Sequence, residues 1–582
     1  MHFFNKILSL FNYLPAKRRI QFILLLALSL CSSFAEVFSL GASVPFIAAL
    51  MGQAPENFIY KFVSENISGG HSHLLIFTII FCTLSLLAGL IRIFNLYFFV
   101  KFSNIVGCDI SRKLFNKIIY QDYETHIKRD ESEILTTLNQ KPAIVTGSIL
   151  SLLTLLSAAI ISMGIILGLI FINFKVALFS LSGVCLIYGI TVLLSRKKLL
   201  NEGKRLTKFS TLLIKSTQET FGSMRDILIG GTQNFAEINF NTAVSNVRQA
   251  EATTTFIGQY PKLIAETLGI LLISSVAYFL TSDNELGDSI IPILGAMALA
   301  AQRLLPLFQQ IFSAWANIKY GEPSLFDVLH LLGERDDFHS YAKKGKFKLK
   351  FDKAICLNNI SFSYGKNNSI NTIHNLSMTI KKGERIGIIG LTGSGKSTLL
   401  DILSGLLLPK WGFIQIDDNV LDLENRHSWK KNIAYVPQSI FLIDGTIAEN
   451  ICLGALNEPL DNDRLKKAAK IAQIDKFIDE LKDGYETLIG GNGVMLSGGQ
   501  RQRIGIARAM YKKSNFIIFD EITSALDQDT ELNLLESIGA IDNSVTMIIA
   551  AHKPAALKYC DRIIKIDNGR IVDVGNYSHF FN

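Results

Sequence analysis

The sequence is poor in charged residues and lacks paired cysteines. Only 19% of its 582 residues are charged, whereas 49% are hydrophobic, and the hydrophobic residues concentrate in the first half. This composition excludes a wholly soluble protein. The seven cysteines are scattered and form no CxxC pair. We therefore expect neither a cysteine metal site nor a disulfide framework, and we expect the thiols to be reduced.

The net charge of +8 does not indicate nucleic-acid binding, because the basic residues cluster beside apolar segments. Such clusters are typical of the cytoplasmic loops of membrane proteins. The sequence also shows no repeat period and no low-complexity tract that would favour another architecture. We expect a multi-pass membrane protein with no nucleic-acid partner.

Six segments of the first half are apolar enough to cross a bilayer, which takes about 20 residues. The predicted spans cover approximately residues 20–50, 74–100, 143–172, 174–195, 258–281 and 289–319. Basic residues lie before the first span, between the second and third, and after the fourth, whereas the alternate loops carry few. The positive-inside rule places the N-terminus in the cytoplasm, and six spans return the chain there.

The division into domains follows from this pattern. We predict a transmembrane domain over residues 1–320, a linker over 321–345 that begins where Gly321-Glu322-Pro323 breaks the sixth span, and a second domain over 346–582. The two long cytoplasmic loops are helical in pattern. We expect their far turns, near residues 120–126 and 221–226, to press on the second domain.

A glycine-rich loop marks the second domain. It fits G-x-x-x-x-G-K-[ST] and lies between a strand pattern at 385–389 and a helix pattern at 399–403, which is the context that a phosphate-binding P-loop needs. Its backbone N–H groups can surround phosphate oxygens at the helix N-terminus. The predicted nucleotide-binding residues of this loop are Gly390, Leu391, Thr392, Gly393, Ser394, Gly395, Lys396, Ser397 and Thr398.

The chemistry of ATP assigns roles to several side chains. Lys396 can reach the β- and γ-phosphates, and the Ser397 hydroxyl can ligate Mg²⁺. An apolar strand pattern at 516–519 ends in two carboxylates. Asp520 is expected to hold the same metal ion, and Glu521 to polarise the attacking water as general base.

Further motifs appear in a fixed order along the chain. Tyr364 follows an alternating segment, Gln438 ends a strand-like run, Leu-Ser-Gly-Gly-Gln occupies residues 496–500, and His552 follows the carboxylates. This set resembles the nucleotide-binding domain of ABC transporters over residues 346–582. The resemblance implies an α-helical six-span transmembrane domain of the ABC exporter type, fused to an α/β P-loop nucleotide-binding domain.

The resemblance also implies roles that the residues alone do not. Tyr364 stacks on adenine, Gln438 senses the γ-phosphate and the metal ion, and His552 orients the γ-phosphate region. A second chain contributes Ser497, Gly498, Gly499 and Gln500 to each ATP site, so the resemblance implies a half-transporter that works as a dimer. A homodimer makes both ATP sites equivalent, and a heterodimer with a similar chain is the alternative.

The chain departs from the family pattern at two positions. Gly491 stands where exporters usually carry a Glu, which puts in doubt how the ATPase contacts the partner's coupling loop. Lys553 follows His552 where Arg is common, which we take as a minor change.

The cargo is indicated less directly. Residues 34–41, 44–47, 225–227, 260–266 and 303–306 resemble PglK-type flippases of lipid-linked oligosaccharides. That resemblance implies a polyprenyl-diphosphate glycan as substrate and the bacterial inner membrane as location. A general lipid, lipid A or multidrug exporter is one alternative, and an exporter of a peptide or another secreted compound is a second.

Two arginines inside predicted spans are candidates for the substrate site. Charged residues within spans are costly and usually face the bundle interior. Arg303 and Arg92 are expected in the inner half of the bilayer, where a planar guanidinium can hold a diphosphate headgroup. The alternative is a structural ion pair, for instance between Arg303 and Glu266, or snorkelling to the interface.

Overall fold

The computed structural model describes residues 9–50, 73–172, 174–282, 290–334, 349–364, 372–453, 459–523 and 526–581. The chain divides into two compact units. The first comprises Met1–Ile119 and Arg129–Asp336, and the second comprises Tyr120–Lys128 and Asp337–Asn582. The second unit thus includes a short segment from the predicted first cytoplasmic loop.

Long helices make up the described part of the first unit. In chain order the helices of the first half are α1 (Ala16–Leu50), α2 (His73–Ile119), α3 (Tyr123–Lys128, in the second unit), α4 (Glu131–Ile172), α5 (Phe174–Gly222), α6 (Met224–Gly230), α7 (Gln233–Ser282) and α8 (Ile290–Gly333). The longest of these helices are longer than a bilayer is thick. Helix α2, for example, has 47 residues, or about 70 Å at 1.5 Å per residue. These helices therefore have room for both a membrane span and an extension beyond it.

The predicted spans coincide with these helices, apart from residue 289, which lies outside the described residues. Within the described part of the chain, Ala16–Ser43, Leu74–Ile119 and Glu131–Leu167 are long and apolar enough to cross a membrane. The total of six spans stays a prediction.

The prediction that residues 321–323 break the sixth span is wrong, because α8 continues through Pro323. Packing on both sides of the proline explains this. A Cβ atom on Gly321 would come 2.4 Å from Ser148 Oγ, so α8 lies close against α4 there. Leu325, beyond the proline, is 1% exposed. These contacts offset the hydrogen bond that Pro323 cannot donate. The rest of the predicted linker, from residue 335 onward, lies outside the described residues.

The second unit contains two β-sheets. The strands are β1 (Ala354–Phe362), β2 (Ile373–Lys381), β3 (Arg385–Ile389), β4 (Trp411–Ile416), β5 (Asn419–Val420), β6 (Ile433–Val436), β7 (Phe516–Asp520), β8 (Thr546–Ala550), β9 (Arg562–Asp567) and β10 (Arg570–Gly575). Four antiparallel strands form one sheet in the order β2-β1-β4-β5, and six form the other in the order β10-β9-β3-β8-β7-β6.

Helices flank these strands. They are α9 (Lys396–Leu403), α10 (Arg426–Lys431), α11 (Ile447–Cys452), α12 (Asn462–Ile471), α13 (Asp475–Glu480), α14 (Gly498–Tyr511), α15 (Gln528–Gly539) and α16 (Tyr577–Phe581), with 3₁₀ turns at Gly484–Glu486, Gly491–Gly493 and Pro554–Leu557. Strands β7 and β8 are buried along their whole length, as their unbroken apolar sequences favour.

The larger sheet determines where the functional residues meet. Strands β3, β8, β7 and β6 are neighbours and run parallel. Their carboxyl ends therefore lie along one edge of the sheet, which is where α/β proteins bind ligands. The segments that leave this edge are the P-loop after β3, His552 after β8, Glu521 after β7 and Gln438 after β6.

Candidate functional site

The P-loop has the backbone that its glycines permit. Gly393 and Gly395 have φ values of 82° and 102°, a left-handed region that favours glycine. The turn at Gly395 starts α9, so the first N–H groups of that helix face the loop. Lys396 Nζ donates hydrogen bonds to the carbonyl oxygens of Gly390, at 2.9 Å, and Leu391, at 3.2 Å. The loop thus surrounds the lysine ammonium with backbone groups.

Two side chains contact the predicted general base, one on each carboxylate oxygen. Gln438 Nε2 donates to Glu521 Oε2 at 2.7 Å. His552 Nε2 lies 2.8 Å from Glu521 Oε1 and 3.5 Å from Lys396 Nζ. Glu521 itself adopts a φ of 52°, which costs a non-glycine residue about 1 kcal/mol. The structure therefore brings together four residues that the sequence places far apart.

Asp520 lies deeper than Glu521, at the end of β7. It is 7% exposed and accepts a hydrogen bond from the Tyr435 hydroxyl at 3.1 Å. Burial raises the pKa of Asp520, and the hydrogen bond from Tyr435 opposes that shift. On α9, burial and then the charge of Asp520 raise the pKa of Asp401 to about 6. A divalent cation beside these carboxylates would favour their charged forms.

The residues present fit a magnesium ion bound together with ATP. Asp520 and the exposed hydroxyl of Ser397 supply the hard oxygen ligands that Mg²⁺ prefers. Among the described residues, no three His, Cys, Asp or Glu side chains cluster as a metal site. Mg²⁺ usually binds through one or two protein oxygens, phosphate oxygens and water, so this small ligand set suits it.

The predicted adenine-stacking residue lies beside the P-loop helix. The Tyr364 hydroxyl is 3.0 Å from Thr398 Oγ1, and its ring packs edge-on against Phe362 with the centroids 5.1 Å apart. Tyr364 remains half-buried. Burial also raises its pKa, so the phenol is neutral.

Residues 497–500 form the start of α14. Ser497 Oγ accepts a hydrogen bond from the Gln500 backbone at 3.2 Å, and Gln500 Oε1 accepts one from the Ser497 backbone at 2.8 Å. This capping box fixes the helix N-terminus, whose positive dipole end favours an anion. Gln500 thus stabilises the motif, while Gly498 and Gly499 leave the backbone uncovered.

The structure shows what surrounds the two positions at which the chain departs from the family pattern. Gly491 is exposed and begins a 3₁₀ turn. Lys553 Nζ donates to Glu531 Oε2 at 2.7 Å, on the first turn of α15. Lysine therefore serves here as an anchor for the segment after His552.

The first predicted contact turn belongs to the second unit. Asp122, just before α3, forms an ion pair with Arg426 at the start of α10. The Arg426 residue is 6% exposed, so its guanidinium depends on this partner. Burial raises the pKa of Tyr123, with a further contribution from the charge of Asp401. Helix α3 thus lies beside the residues of the nucleotide site.

The second predicted turn forms α6, within the first unit. Its exposed side chains include two apolar ones, with Leu228 60% exposed and Ile229 81% exposed, beside the charged Arg225 and Asp226. Gly231, in the left-handed region with a φ of 63°, caps the helix and reverses the chain. The turn lies where the sequence predicts it, beginning near residues 221–226, and it extends to Gly231.

The two arginines of the predicted substrate site share one carboxylate. Arg92 on α2 lies 3.2 Å from Glu36 Oε1, and Arg303 on α8 contacts Glu36 Oε2. Arg303 also donates to Ser39 Oγ at 3.2 Å. Glu36 is only 4% exposed. The alternative of an ion pair between Arg303 and Glu266 is wrong, because Arg303 pairs with Glu36 instead. Glu266 lies 3.7 Å from Lys262.

Sequence reasoning missed several of these residues. The Glu36 carboxylate lies in a span and could have been found by searching for the counter-ion of the arginines. Tyr435 lies on β6, and the sequence does not show that this strand pairs with β7. The Asp122–Arg426 pair joins positions 304 residues apart, which no local pattern shows.

A parallel sheet with a P-loop, two carboxylates at the end of a neighbouring strand and an LSGGQ helix defines an ATPase of the ABC class. Comparison with known families agrees: residues 373–524 match the ABC transporter model, and residues 22–291 match the ABC transporter transmembrane region. The chain belongs to the ABC transporter family, as an exporter-type half-transporter that couples ATP hydrolysis to transport.

Individual relatives cover most of the chain. The uncharacterized ABC transporter ATP-binding protein YfiB of Bacillus subtilis is 29% identical over 94% of this chain and 96% of its own. The ATP-dependent lipid A-core flippase of Haemophilus influenzae is 26% identical over 87% and 86%. The leukotoxin translocation protein LktB of Mannheimia glucosida is 35% identical, but over only 57% of this chain and 46% of its own.

A solved structure shows the same fold. A bacterial Atm1-family ABC exporter with ATP bound superposes with a TM-score of 0.78, over 97% of this chain and 96% of that one. The sequences are 20% identical, so the likeness concerns the fold. It confirms the predicted fold class of a helical transmembrane domain joined to an α/β nucleotide-binding domain.

Proposed function

We propose that the protein is a homodimeric flippase that moves a polyprenyl-diphosphate-linked glycan across the bacterial inner membrane. The observation that carries this proposal is the charged cluster of Arg92, Glu36 and Arg303 on three transmembrane helices. Two guanidiniums against one carboxylate leave a net positive charge within an apolar bundle. Such a charge is costly unless it serves a ligand or a pathway.

A diphosphate headgroup suits this cluster. Guanidinium groups bind phosphate oxygens in a planar, bidentate manner. The Arg92 side chain is 52% exposed and that of Arg303 is 27% exposed, so both have surface to offer a ligand. Glu36 would then act as the counter-ion that keeps the arginines in place when no headgroup binds. The short motifs shared with oligosaccharide flippases support the same cargo.

The ATP site supplies the energy through the residues described above. Lys396 and the P-loop N–H groups bind the β- and γ-phosphates, and Tyr364 stacks on adenine. Glu521 accepts the proton of the attacking water, and His552 and Gln438 orient the Glu521 carboxylate. Ser397, Asp520 and the Gln438 amide would hold a Mg²⁺ ion, which would supply positive charge to the phosphate oxygens.

One chain contributes one P-loop and one capped α14 N-terminus. We propose that the Ser497–Gly499 backbone of one copy binds the γ-phosphate held by the P-loop of its partner, through the dipole of α14. Both sites of a homodimer are then alike, and both retain Glu521 and His552. The N-terminus and the ATPase domain lie in the cytoplasm, where ATP is available, as the charge of the loops indicates.

A second candidate cargo is lipid A or a related phosphoglycolipid. Relatives described as lipid A-core flippases are 24–28% identical over 84–94% of this chain. Both cargoes carry phosphate beside sugars on a lipid, so the arginine cluster alone does not separate them. Peptide export is a third candidate, which the partial match to a leukotoxin translocation protein favours.

Stimulation of ATPase activity in lipid nanodiscs separates these cargoes. The purified protein is titrated with a polyprenyl-diphosphate oligosaccharide, the matching uncharged polyprenol, lipid A and an apolar peptide. We expect the diphosphate glycan to stimulate most and the polyprenol not at all. Strongest stimulation by lipid A would favour the second candidate, and stimulation by the peptide alone would overturn the proposal.

A further inference from the structure

Arg508 lies on α14, far along the helix from its capped N-terminus, and its side chain reaches a different segment. Nε donates to the Asn450 carbonyl at 2.9 Å, and both Nη atoms donate to the Phe441 carbonyl at 3.2 Å. Arg508 is half-buried, and this burial lowers the pKa of its guanidinium from the ordinary arginine value. Its planar fork therefore joins α14 to the chain that follows Gln438.

Asn450 completes the same connection. It is fully buried, its Oδ1 accepts from the Ile443 N–H at 2.9 Å, and its Nδ2 donates to the carbonyls of Ile443, at 3.1 Å, and Thr446, at 3.0 Å. The backbone of Phe441 and Ile443 is thus fixed by two side chains. Buried amides in such networks are costly to leave unpaired.

Apolar contacts reinforce the hydrogen bonds. A Cβ atom on Gly505 of α14 would come 2.4 Å from Ile440 Cδ1, so the helix and Ile440 are in close contact. Leu442 is fully buried, and a Cβ atom on Gly493, ahead of α14, would come 2.7 Å from its Cδ1. From Ile440 onward, the chain is therefore packed against α14.

Gln438 faces the other way, because its amide donates to Glu521 at 2.7 Å. Only Ser439, which is exposed, separates this contact from the segment bound to α14. Gln438, which contacts the Glu521 carboxylate, is thus connected through a single residue to the segment that packs on α14, the helix that Ser497 caps.

We propose that Arg508 is a positioning residue of the ATPase reaction, which ties the segment after Gln438 to α14 so that Gln438 and the Ser497 end of that helix move together. The inference rests on the proposed site shared between two copies. Arg508 touches none of the reacting groups. Its loss is expected to disturb closure of the shared site while leaving nucleotide binding to the P-loop unchanged.

The test uses the full-length protein carrying Glu521→Gln, in which hydrolysis is blocked and ATP stays in the closed site. Retained nucleotide is measured after rapid gel filtration, and binding of a fluorescent ATP analogue reports the P-loop. We expect Arg508→Ala to lower retention about tenfold or more, the scale of a lost hydrogen bond to a charged group. Arg508→Lys should retain an amount of nucleotide between those of the parent and of Arg508→Ala. Arg570→Ala, which removes an exposed arginine of β10, should leave retention unchanged.

One further variant makes the result decisive. Ser497→Ala should also lose retention, because it removes the cap at the shared site. If it retains nucleotide, the shared site is wrong and the inference falls with it. If only Arg508→Ala retains nucleotide, the role of Arg508 alone is wrong.

A second variant on α14, which leaves Arg508 in place, covers the case in which Arg508→Ala does not fold. Gly505→Ala favours the helix by about 1 kcal/mol but pushes Ile440 away. It should lower retention, and Ile440→Ala in the same chain should restore it. Full retention by Gly505→Ala would contradict the proposed connection.

Discussion

Gln438 and Glu521 are joined by a hydrogen bond of 2.7 Å between the side-chain amide and the carboxylate. Because Gln438 leaves β6 and Glu521 leaves β7, the bond links the ends of two neighbouring parallel strands. His552 lies 2.8 Å from the other carboxylate oxygen. Glu521 is therefore oriented from both sides, as a residue that must direct one water molecule requires.

Replacing Glu521 by Gln tests its role as general base. The amide keeps the shape of the side chain but loses the charge that polarises water. We expect ATPase activity to fall by a factor of about 100 or more, while nucleotide binding is preserved and the closed dimer accumulates. Steady-state phosphate release and filter binding of labelled ATP measure the two effects. Undiminished turnover would reject Glu521 as the base.

Mixed dimers test whether each ATP site contains two chains. Lys396→Ala and Ser497→Ala chains, each with a different tag, are expressed together, and the heterodimer is purified over both tags. If the sites are shared, one site carries both defects and the other is intact. We expect the heterodimer to bind about one nucleotide tightly, and each parent homodimer to bind none. Heterodimers that never bind tightly would contradict the shared arrangement.

The Asp122–Arg426 pair offers a test of how ATP use is coupled to transport. Asp122→Ala leaves a buried guanidinium unpaired, which costs about 3 kcal/mol. We expect transport per ATP to fall, with basal hydrolysis largely retained. The exchanged pair, Asp122→Arg with Arg426→Asp, should recover at least part of the coupling. Lys128→Ala, which removes an exposed pair with Glu124, is the control. Equal transport in all variants would show that this contact does not carry the coupling.

Arg303→Ala tests the proposed headgroup site. We expect glycolipid flipping to be abolished while basal ATPase activity and folding are spared, because the ATP site is untouched. If the cluster is only a structural ion pair, removing Glu36 as well should restore flipping, since the buried carboxylate that has lost one of its two arginine partners is then gone. A headgroup site predicts that the double variant stays inactive. Glu266→Ala should have no effect, because Glu266 lies beside Lys262.

The sequence predicted which residues meet at one edge of the larger sheet, because these residues end strands, follow closely after them or begin helices. Lys396, Asp520 and His552 each belong to a short motif, and the rule for parallel strands places them at one edge. The course of α8 past Pro323 was not predictable, because it depends on packing against α4. Glu36 and Arg426 were missed for the same reason, since each finds its partners on helices distant in sequence.

Direct observation of transport tests the central claim. The protein is reconstituted in liposomes with a labelled polyprenyl-diphosphate glycan, and the label that a membrane-impermeant enzyme can reach is followed over time. We expect ATP to change the accessible fraction with the wild-type protein, and no change with Glu521→Gln or with the uncharged polyprenol. An accessible fraction of the diphosphate glycan that stays constant with wild-type protein and ATP, in vesicles that hydrolyse ATP, would contradict the account.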